Sequence, residues 1–235
     1  MEALKVENLK KSYGKFTVLK EISFSLNFGE VLAVLGPNAS GKTTLIKCIL
    51  GHALPEGGKI YVKGLDTSLE GEYRNYLGYM PQEPDFPENL TPEDLLNLIT
   101  SIKCRKPIYA EKIVEIFKLS PYLNRKIKNF SGGTKQKVNA LLAFAFDPEV
   151  LILDEPTVGL DPLSNIRFKE LIKEEKRKNK AILLTSHIIG EVEELADRVI
   201  FLLEGVVKVS GSVEELKEKT GETKLERAIL KFLEK

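Results

Sequence analysis

The sequence predicts an α/β fold: a mainly parallel sheet with helices on both faces, an antiparallel β subdomain on the N-terminal side, and an inserted α-helical subdomain. Three observations carry this reading. Wholly apolar runs at 31–35, 150–153 and 181–184 alternate with helix-period segments, as expected of strands buried on both faces of a parallel sheet. Segments 3–13 and 22–28 read as strands with turn residues at Gly14 and Gly29, and shorter strands follow at 59–62 and 77–80, enough for a separate β layer. From Pro81 the texture changes, with Pro84 and Pro87 breaking regular structure before two amphipathic helices.

The first of those helices has Thr91 as its cap, Pro92 at its first position, Glu93 and Asp94 in its first turn, and Leu95, Leu96, Leu98 and Ile99 behind. The second, 110–119, places Ile113, Val114, Ile116 and Phe117 at helical spacing. The insertion extends from about 84 to 146 when the helix opening near Gly132 is included. Beyond it, 164–178 and 189–197 read as helices, 199–203 and 206–209 as a hairpin through Glu204-Gly205, and 211–235 as short charged helices. No repeat or low-complexity linker divides the chain, so residues 1–235 are expected to form one domain.

Charge narrows the function classes. Lys and Arg number 35 against 34 Asp and Glu, for a net charge of +1. No basic cluster is interleaved with aromatics, so nucleic acid is not the expected partner. The longest apolar stretches, such as 140–146, fall short of the about 20 residues that cross a bilayer. The N-terminus lacks a signal-peptide pattern, so a cytoplasmic location is expected. Cys48 and Cys104 form no CxxC pair and read as reduced thiols rather than metal ligands.

The chemistry lies in three short motifs. Gly36-Pro37-Asn38-Ala39-Ser40-Gly41-Lys42-Thr43, followed by Thr44, joins an apolar strand to a helix; this is a P-loop. Its glycines let backbone N–H groups converge on a polyphosphate, Lys42 reaches the β- and γ-phosphates, and the Thr43 hydroxyl suits Mg²⁺. The expected ligand is ATP or GTP. Asp154-Glu155 ends a buried strand, where open α/β sheets bind ligands; Asp154 suits a Mg²⁺ shell and Glu155 the polarisation of an attacking water. Ser131-Gly132-Gly133 opens a helix as a second anion-binding start.

The order P-loop, Gln82, Ser131-Gly132-Gly133, Asp154-Glu155, Gly159-Leu160-Asp161, His187 resembles the ATP-binding subunit of ABC transporters, from Leu4 to about Val209. The resemblance implies a P-loop NTPase core that binds ATP with Mg²⁺ and hydrolyses it. Tyr13 would stack on adenine with Val18 beside it, although alone it reads as a half-exposed strand aromatic. Gln82 would touch Mg²⁺ and the water. His187 would contact the γ-phosphate and hold Glu155. Ser131, Gly132 and Gly133 would close over a nucleotide held by a second subunit, and Asp161 would cross that contact, so two chains would sandwich two ATP molecules. Three positions depart from the usual pattern: Ala39 stands for glycine, Phe130 for leucine and Thr134 for glutamine.

Gly78-Tyr79-Met80-Pro81-Gln82 resembles the exporter branch of that family. A separate membrane-spanning permease subunit is then the expected partner, with Phe86 and the helix after Thr91 near its contact and this chain peripheral at the inner face of the cell membrane. The alternative is a soluble ABC ATPase without a membrane partner, for example in cofactor assembly.

Overall fold

The computed structural model describes residues 1–69 and 71–234; Glu70, and Lys235 at the end of the expected C-terminal helices, lie outside the described residues. In chain order the first half contains β1 (Glu2–Tyr13), β2 (Phe16–Asn27), β3 (Val31–Leu35), α1 (Lys42–Ile49), β4 (Gly57–Val62), β5 (Leu65–Asp66), β6 (Leu77–Met80), α2 (Pro92–Lys103) and α3 (Ala110–Phe117). The second half contains α4 (Gly132–Phe144), β7 (Val150–Asp154), α5 (Pro162–Arg177), β8 (Ala181–Ser186), α6 (Ile189–Leu195), β9 (Arg198–Leu203), β10 (Val206–Ser212), α7 (Val213–Thr220) and α8 (Leu225–Leu233).

Two sheets result. The antiparallel one runs β2-β1-β4-β5 and the larger one β10-β9-β3-β8-β7-β6, parallel except for the β9–β10 hairpin. The apolar runs have the two-sided burial expected of them. Leu32, Val34, Ile152 and Leu183 pack with Leu45 and Ile46 of α1 and with Leu4, Val6 and Leu26 of the antiparallel sheet. Their chain neighbours Val31, Ala33, Leu151, Leu153 and Ile182 face the opposite way, towards Leu141, Phe144, Phe168 and Ile172 on α4 and α5. Each such large side chain, fully buried, contributes ~1.5–3 kcal/mol, and polar residues enter these strands only at their carboxyl ends, with Asp154 in β7 and Thr185 and Ser186 in β8.

Helix α2 has the start its sequence specifies. Thr91 Oγ1 accepts from the Asp94 N–H at 3.1 Å while the Thr91 N–H donates to Asp94 Oδ2 at 2.9 Å, a reciprocal capping box closed by Pro92 at the first position.

Several elements differ from expectation. Strand β2 begins at Phe16, well before residue 22, because Gly14, at φ 60°, and Lys15 turn the chain so that Tyr13 pairs with Phe16. The irregular β1–β2 register, with positive φ at Asn8 and Glu21, hides the period-2 pattern there. Strand β5 is only two residues long, too short for a pattern to announce. Helix α5 begins at Pro162 because the Asp161 carboxylate accepts from the Ser164 N–H at 2.9 Å. Helix α6 stops at Leu195 because Asp197 is held by β3: its N–H donates to Val31 O, and its carboxylate accepts from Val31 N–H, both at 2.9 Å.

A cluster of ion pairs ties the turn before α3 to the end of α5. The Tyr109 hydroxyl donates to Glu175 Oε1 at 2.7 Å, Glu174 is paired with Lys112 and, at 2.8 Å, with Lys178, and the fully buried Glu175 meets Lys178 and Lys180. The ammonium groups of Lys112 and then Lys178 pull the Glu174 carboxyl down from an ordinary 4.5 to about 2. A depressed carboxyl stabilises the fold fully above its unfolded pKa and loses that contribution as pH falls through its folded pKa. Glu174→Gln is therefore expected to lower the melting temperature at neutral pH, with the gap to the parent closing between pH 4.5 and about 2. Circular dichroism melts across that range check it; a gap independent of pH would remove Glu174 as its source.

Candidate functional site

The site grows from the carboxyl ends of β3, β7 and β8, which the parallel pairing brings to one edge: Leu35 is in register with Ser186, and Asp154 with Thr185. From β3 the chain enters the loop 36–41. Gly36, at φ 154°, has no room for a side chain: a Cβ there would lie 2.2 Å from the Leu202 carbonyl oxygen. Gly41, at φ 110°, caps α1 without a side-chain hydrogen bond, leaving the helix's first N–H groups for a ligand. Ala39 takes a left-handed φ of 61°, so the loop has the geometry that favours glycine even though alanine occupies it, at a cost of ~1–2 kcal/mol. Ser40 Oγ is buried with no hydrogen-bond partner, an unmatched donor in the loop wall.

Lys42 is 8% exposed, and its Nζ donates to Gly36 O at 2.8 Å and Pro37 O at 3.1 Å. Burial lowers its pKa, while Glu155 and Asp154 oppose that shift. Across the cleft, Asp154 ends β7. Burial raises its carboxyl, the hydrogen bond from Thr185 pulls it back, and the neighbouring Glu155 raises it further. Glu155 follows at a left-handed φ of 48°, and its N–H is shared between Thr185 Oγ1 at 3.0 Å and Thr185 O at 3.2 Å. Its carboxylate is buried and hydrogen-bonded to Nδ1 of the half-exposed His187.

The resulting cleft, of about 300 Å³, is lined by Tyr13, Phe16, Val18, Asn38, Ala39, Ser40, Gly41, Lys42, Thr43, Thr44, Gln82, Asp154 and Glu155. Gly36 and Pro37 lie behind the Lys42 ammonium, and His187 adjoins through Glu155. Thr43, Gln82 and Asp154 offer the cleft a hydroxyl, an amide oxygen and a carboxylate, an all-oxygen set that fits Mg²⁺. A wider depression of about 530 Å³, with Met1, Lys5, Tyr61 and Lys63 in its wall, has no comparable phosphate cradle.

Ser131, Gly132, Gly133 and Asp161 do not line this cleft; they gather elsewhere. Ser131 Oγ accepts from the Thr134 N–H at 3.2 Å and caps α4. A Cβ on Gly133 would come within 2.8 Å of the Gly159 carbonyl, so the start of α4 and the turn before Asp161 touch backbone to backbone. Lys137 adds an ion pair to Asp161 at 2.7 Å. That ammonium, then the Ser164 donors, hold the Asp161 carboxyl well below the usual range.

Two residues of the site escaped sequence reading. Phe16 is 71% exposed and enters the cleft only because the hairpin pairs it with Tyr13; the turn at Gly14-Lys15 was the available signal. Thr185 is fully buried, and its hydroxyl donates to Asp154 Oδ1 at 2.5 Å while accepting from Glu155 N–H. A threonine ending an otherwise apolar strand was its only mark.

A glycine-bearing cradle between strand and helix, facing two buried carboxylates across the edge of a parallel sheet, defines a P-loop nucleotide-binding protein. The ABC transporter family pattern matches residues 19–158. The lantibiotic transport ATP-binding protein SrtF of Streptococcus pyogenes is 34% identical over 204 residues, covering 87% of this chain and 88% of that protein. The linearmycin resistance ATP-binding protein LnrL of Bacillus subtilis is 36% identical over 225 residues, 93% of this chain and 72% of that one. A solved ATP-binding subunit of an ABC transporter superposes with a TM-score of 0.92 at 32% identity, covering 98% of this chain and 99% of its own. The chain belongs to the ABC transporter family, among its ATP-binding subunits.

Replacing Lys42 by alanine removes a cation from the cleft, and a charge-assisted contact is worth ~1.5–3 kcal/mol. Lys42→Ala is expected to weaken ATP binding by about tenfold or more, measured by titration with a fluorescent ATP analogue. Parent-like affinity would remove this cleft as the polyphosphate site.

Proposed function

We propose that this chain is the ATP-hydrolysing subunit of an exporter, pairing with a second ATPase subunit around two ATP molecules and driving a separate membrane-spanning permease. The observation that carries the hydrolytic part is the Glu155–His187 pair at the mouth of a cleft that also holds Lys42 and Asp154. In this reading Tyr13 stacks on adenine beside Phe16 and Val18. The loop 36–44 and Lys42 hold the phosphates. Thr43, Gln82 and Asp154 are the residues that would hold Mg²⁺, which when bound supplies charge neutralisation at the β- and γ-oxygens.

Glu155 orients a water whose oxygen forms the new bond to the γ-phosphorus as the bond to the bridging oxygen breaks, leaving ADP with that electron pair. The water's proton passes to Glu155, whose carboxylate His187 keeps in place. Phosphoryl transfer asks a protein chiefly for positioning and charge stabilisation, which these residues supply.

The pairing of two chains rests on a separation. Ser131, Gly132, Gly133 and Asp161 form a group apart from the cleft of their own chain, so each chain carries two unlike halves that a second copy could complete head to tail. The permease contact is placed at a groove of about 250 Å³ after β6, where Phe86, Tyr79, Pro81, Ile99 and Lys103 contribute to the wall. Leu98 and Ile102, 50% and 73% exposed, lie on the same helix α2 as the groove residues Ile99 and Lys103 and would offer a partner helix further apolar area. No helix among the described residues is long and apolar enough to cross a membrane; in this reading the chain is peripheral, held at the cytoplasmic face by the permease. The transport and resistance roles named for the two relatives support export.

Glu155→Gln is expected to lower ATP turnover by ~10²–10⁴ while ATP stays bound, and sedimentation should then show an ATP-dependent dimer. An unchanged rate would reject the role of Glu155, and a dimer indifferent to ATP would reject the sandwich.

Phe86→Ala tests the partner. It is expected to leave basal hydrolysis intact and to weaken capture of the coexpressed permease, since a buried aromatic anchor contributes ~2 kcal/mol or more to an interface. Pull-down with partner-stimulated ATPase assays reads both. If no membrane protein copurifies with the parent, the soluble ABC ATPase becomes the better reading.

A further inference from the structure

Helix α4 carries two buried amides one turn apart. Gln136 and Asn139 are each 2% exposed, among apolar neighbours Val138, Ala140 and Leu141 on the same helix. Asn139 Nδ2 donates to the Pro81 carbonyl at 2.7 Å and to Gln136 Oε1 at 3.2 Å, and Gln136 Nε2 donates to the Pro156 carbonyl at 3.3 Å. Pro81 immediately precedes Gln82, and Pro156 immediately follows Glu155. One short relay of side chains therefore spans from the backbone beside one active-site group to the backbone beside the other.

Packing alone does not call for these residues. An apolar side chain would fill either position in this core, and burying an amide is tolerated only where its hydrogen bonds are made. Among the described residues, Asn139 makes the only hydrogen bond to the segment 81–86. That segment has no regular structure, and three of its neighbourhood's positions, Pro81, Pro84 and Pro87, have no N–H to offer. The placement of Gln82 thus has one polar tether, and the tether comes from α4. The same helix opens with Ser131-Gly132-Gly133 and touches Gly159.

We propose that Asn139 and Gln136 are positioning residues for hydrolysis: a two-amide clamp that fixes the loop bearing Gln82 against the turn bearing Glu155 and ties both to α4. The proposal rests on the roles given above to Gln82 and Glu155 and extends them to regulation. A displacement of α4 moves the Pro81 and Pro156 carbonyls together, so the position of this helix sets whether the two groups are in hydrolytic register. The clamp binds no ligand itself.

A double-mutant cycle in the full-length chain tests it, using the parent, Asn139→Leu, Gln82→Ala and the double variant, with ATP affinity, KM, kcat and melting temperature measured for each. Misplacing a catalytic group by about 1 Å costs on the order of 10²-fold. Asn139→Leu should lower kcat about 10- to 100-fold with ATP affinity within about twofold of the parent. In the Gln82→Ala background the same substitution should cost less than about threefold further, because the group it positions is already gone. Gln136→Leu should likewise lower kcat without loss of affinity.

Additive losses in the cycle, or a parent-like kcat in folded Asn139→Leu, would overturn the clamp while leaving the ATPase reading in place. So would a loss confined to melting temperature and affinity, which marks a purely structural residue. A parent that binds ATP but does not hydrolyse it would overturn the reading itself and the clamp with it. Should Asn139→Leu fail to fold, Asn139→Asp, which keeps the shape and lacks the amide donor, carries the same cycle to the same outcomes.

Discussion

Everything chemical in this chain hangs from the register of three parallel strands. Because β8 pairs with β3 on one side and β7 on the other, Leu35 lies level with Ser186 and Asp154 with Thr185. The P-loop, the two carboxylates and the turn to His187 therefore leave the sheet at one edge. A slip of one residue in β7 would turn Asp154 to the opposite face and take it from Thr185. The hydroxyl of Thr185 makes the register chemically useful: it donates to Asp154 and accepts from the Glu155 N–H, so one β8 side chain holds both ends of the Asp-Glu step. The two-sided apolar burial of the same strands keeps the pairing from drifting.

That arrangement concentrates charge where water is scarce. Lys42, Asp154 and Glu155 are all nearly buried, and burial pushes Lys42 and Asp154 towards their neutral forms while their opposite charges pull them back. The cleft stays polar because no charge in it is isolated. Two backbone positions share the cost. Ala39 and Glu155 both take left-handed φ values, a conformation that persists only when surroundings over-determine it. For Glu155 the surroundings are the shared bond to Thr185 and the contact with His187. Glu155 thus projects back over the cleft instead of continuing the line of β7. Lys42, meanwhile, is bonded to carbonyls of its own loop, and a polyphosphate would compete with those oxygens for it.

The legible parts of this molecule were those whose physics is local. Apolar runs that need burial on both faces announced β3, β7 and β8, and the capping box at Thr91 and Asp94 announced α2. The P-loop was readable because strand, glycines, lysine and helix must be contiguous to make a phosphate cradle. The rest was hidden wherever a neighbour distant in sequence decides. Phe16 joins the cleft through a hairpin whose strand pattern is broken by bulges, and α6 ends where it does because Asp197 is claimed by Val31, 166 residues away in sequence. Thr185, Gln136 and Asn139 looked like ordinary strand and helix residues; their meaning lies in partners 20 to 58 residues distant. Ala39 was visible as a departure from the family pattern, but its left-handed φ, which says why glycine is usual there, was not.

Helix α4 joins the two halves of the site. At its start, Gly133 meets Gly159 with no space for a Cβ and Lys137 pairs with Asp161, so the group proposed for the neighbouring subunit's nucleotide is rigidly attached to the turn that follows Glu155. In its middle, Gln136 and Asn139 reach that same turn and the Gln82 loop. Along its length Val138, Leu141 and Phe144 are in the core that backs β3 and β7, and densely packed cores respond to displacement by discrete repacking rather than by smooth deformation. A helix fixed in this way to both halves of a shared site is not free to adjust one without the other. In the proposed sandwich, closure at Ser131–Gly133 on one nucleotide and alignment of Glu155 and Gln82 on the other would then be two consequences of a single rigid element, which gives two-site coupling a covalent and packing basis inside each chain.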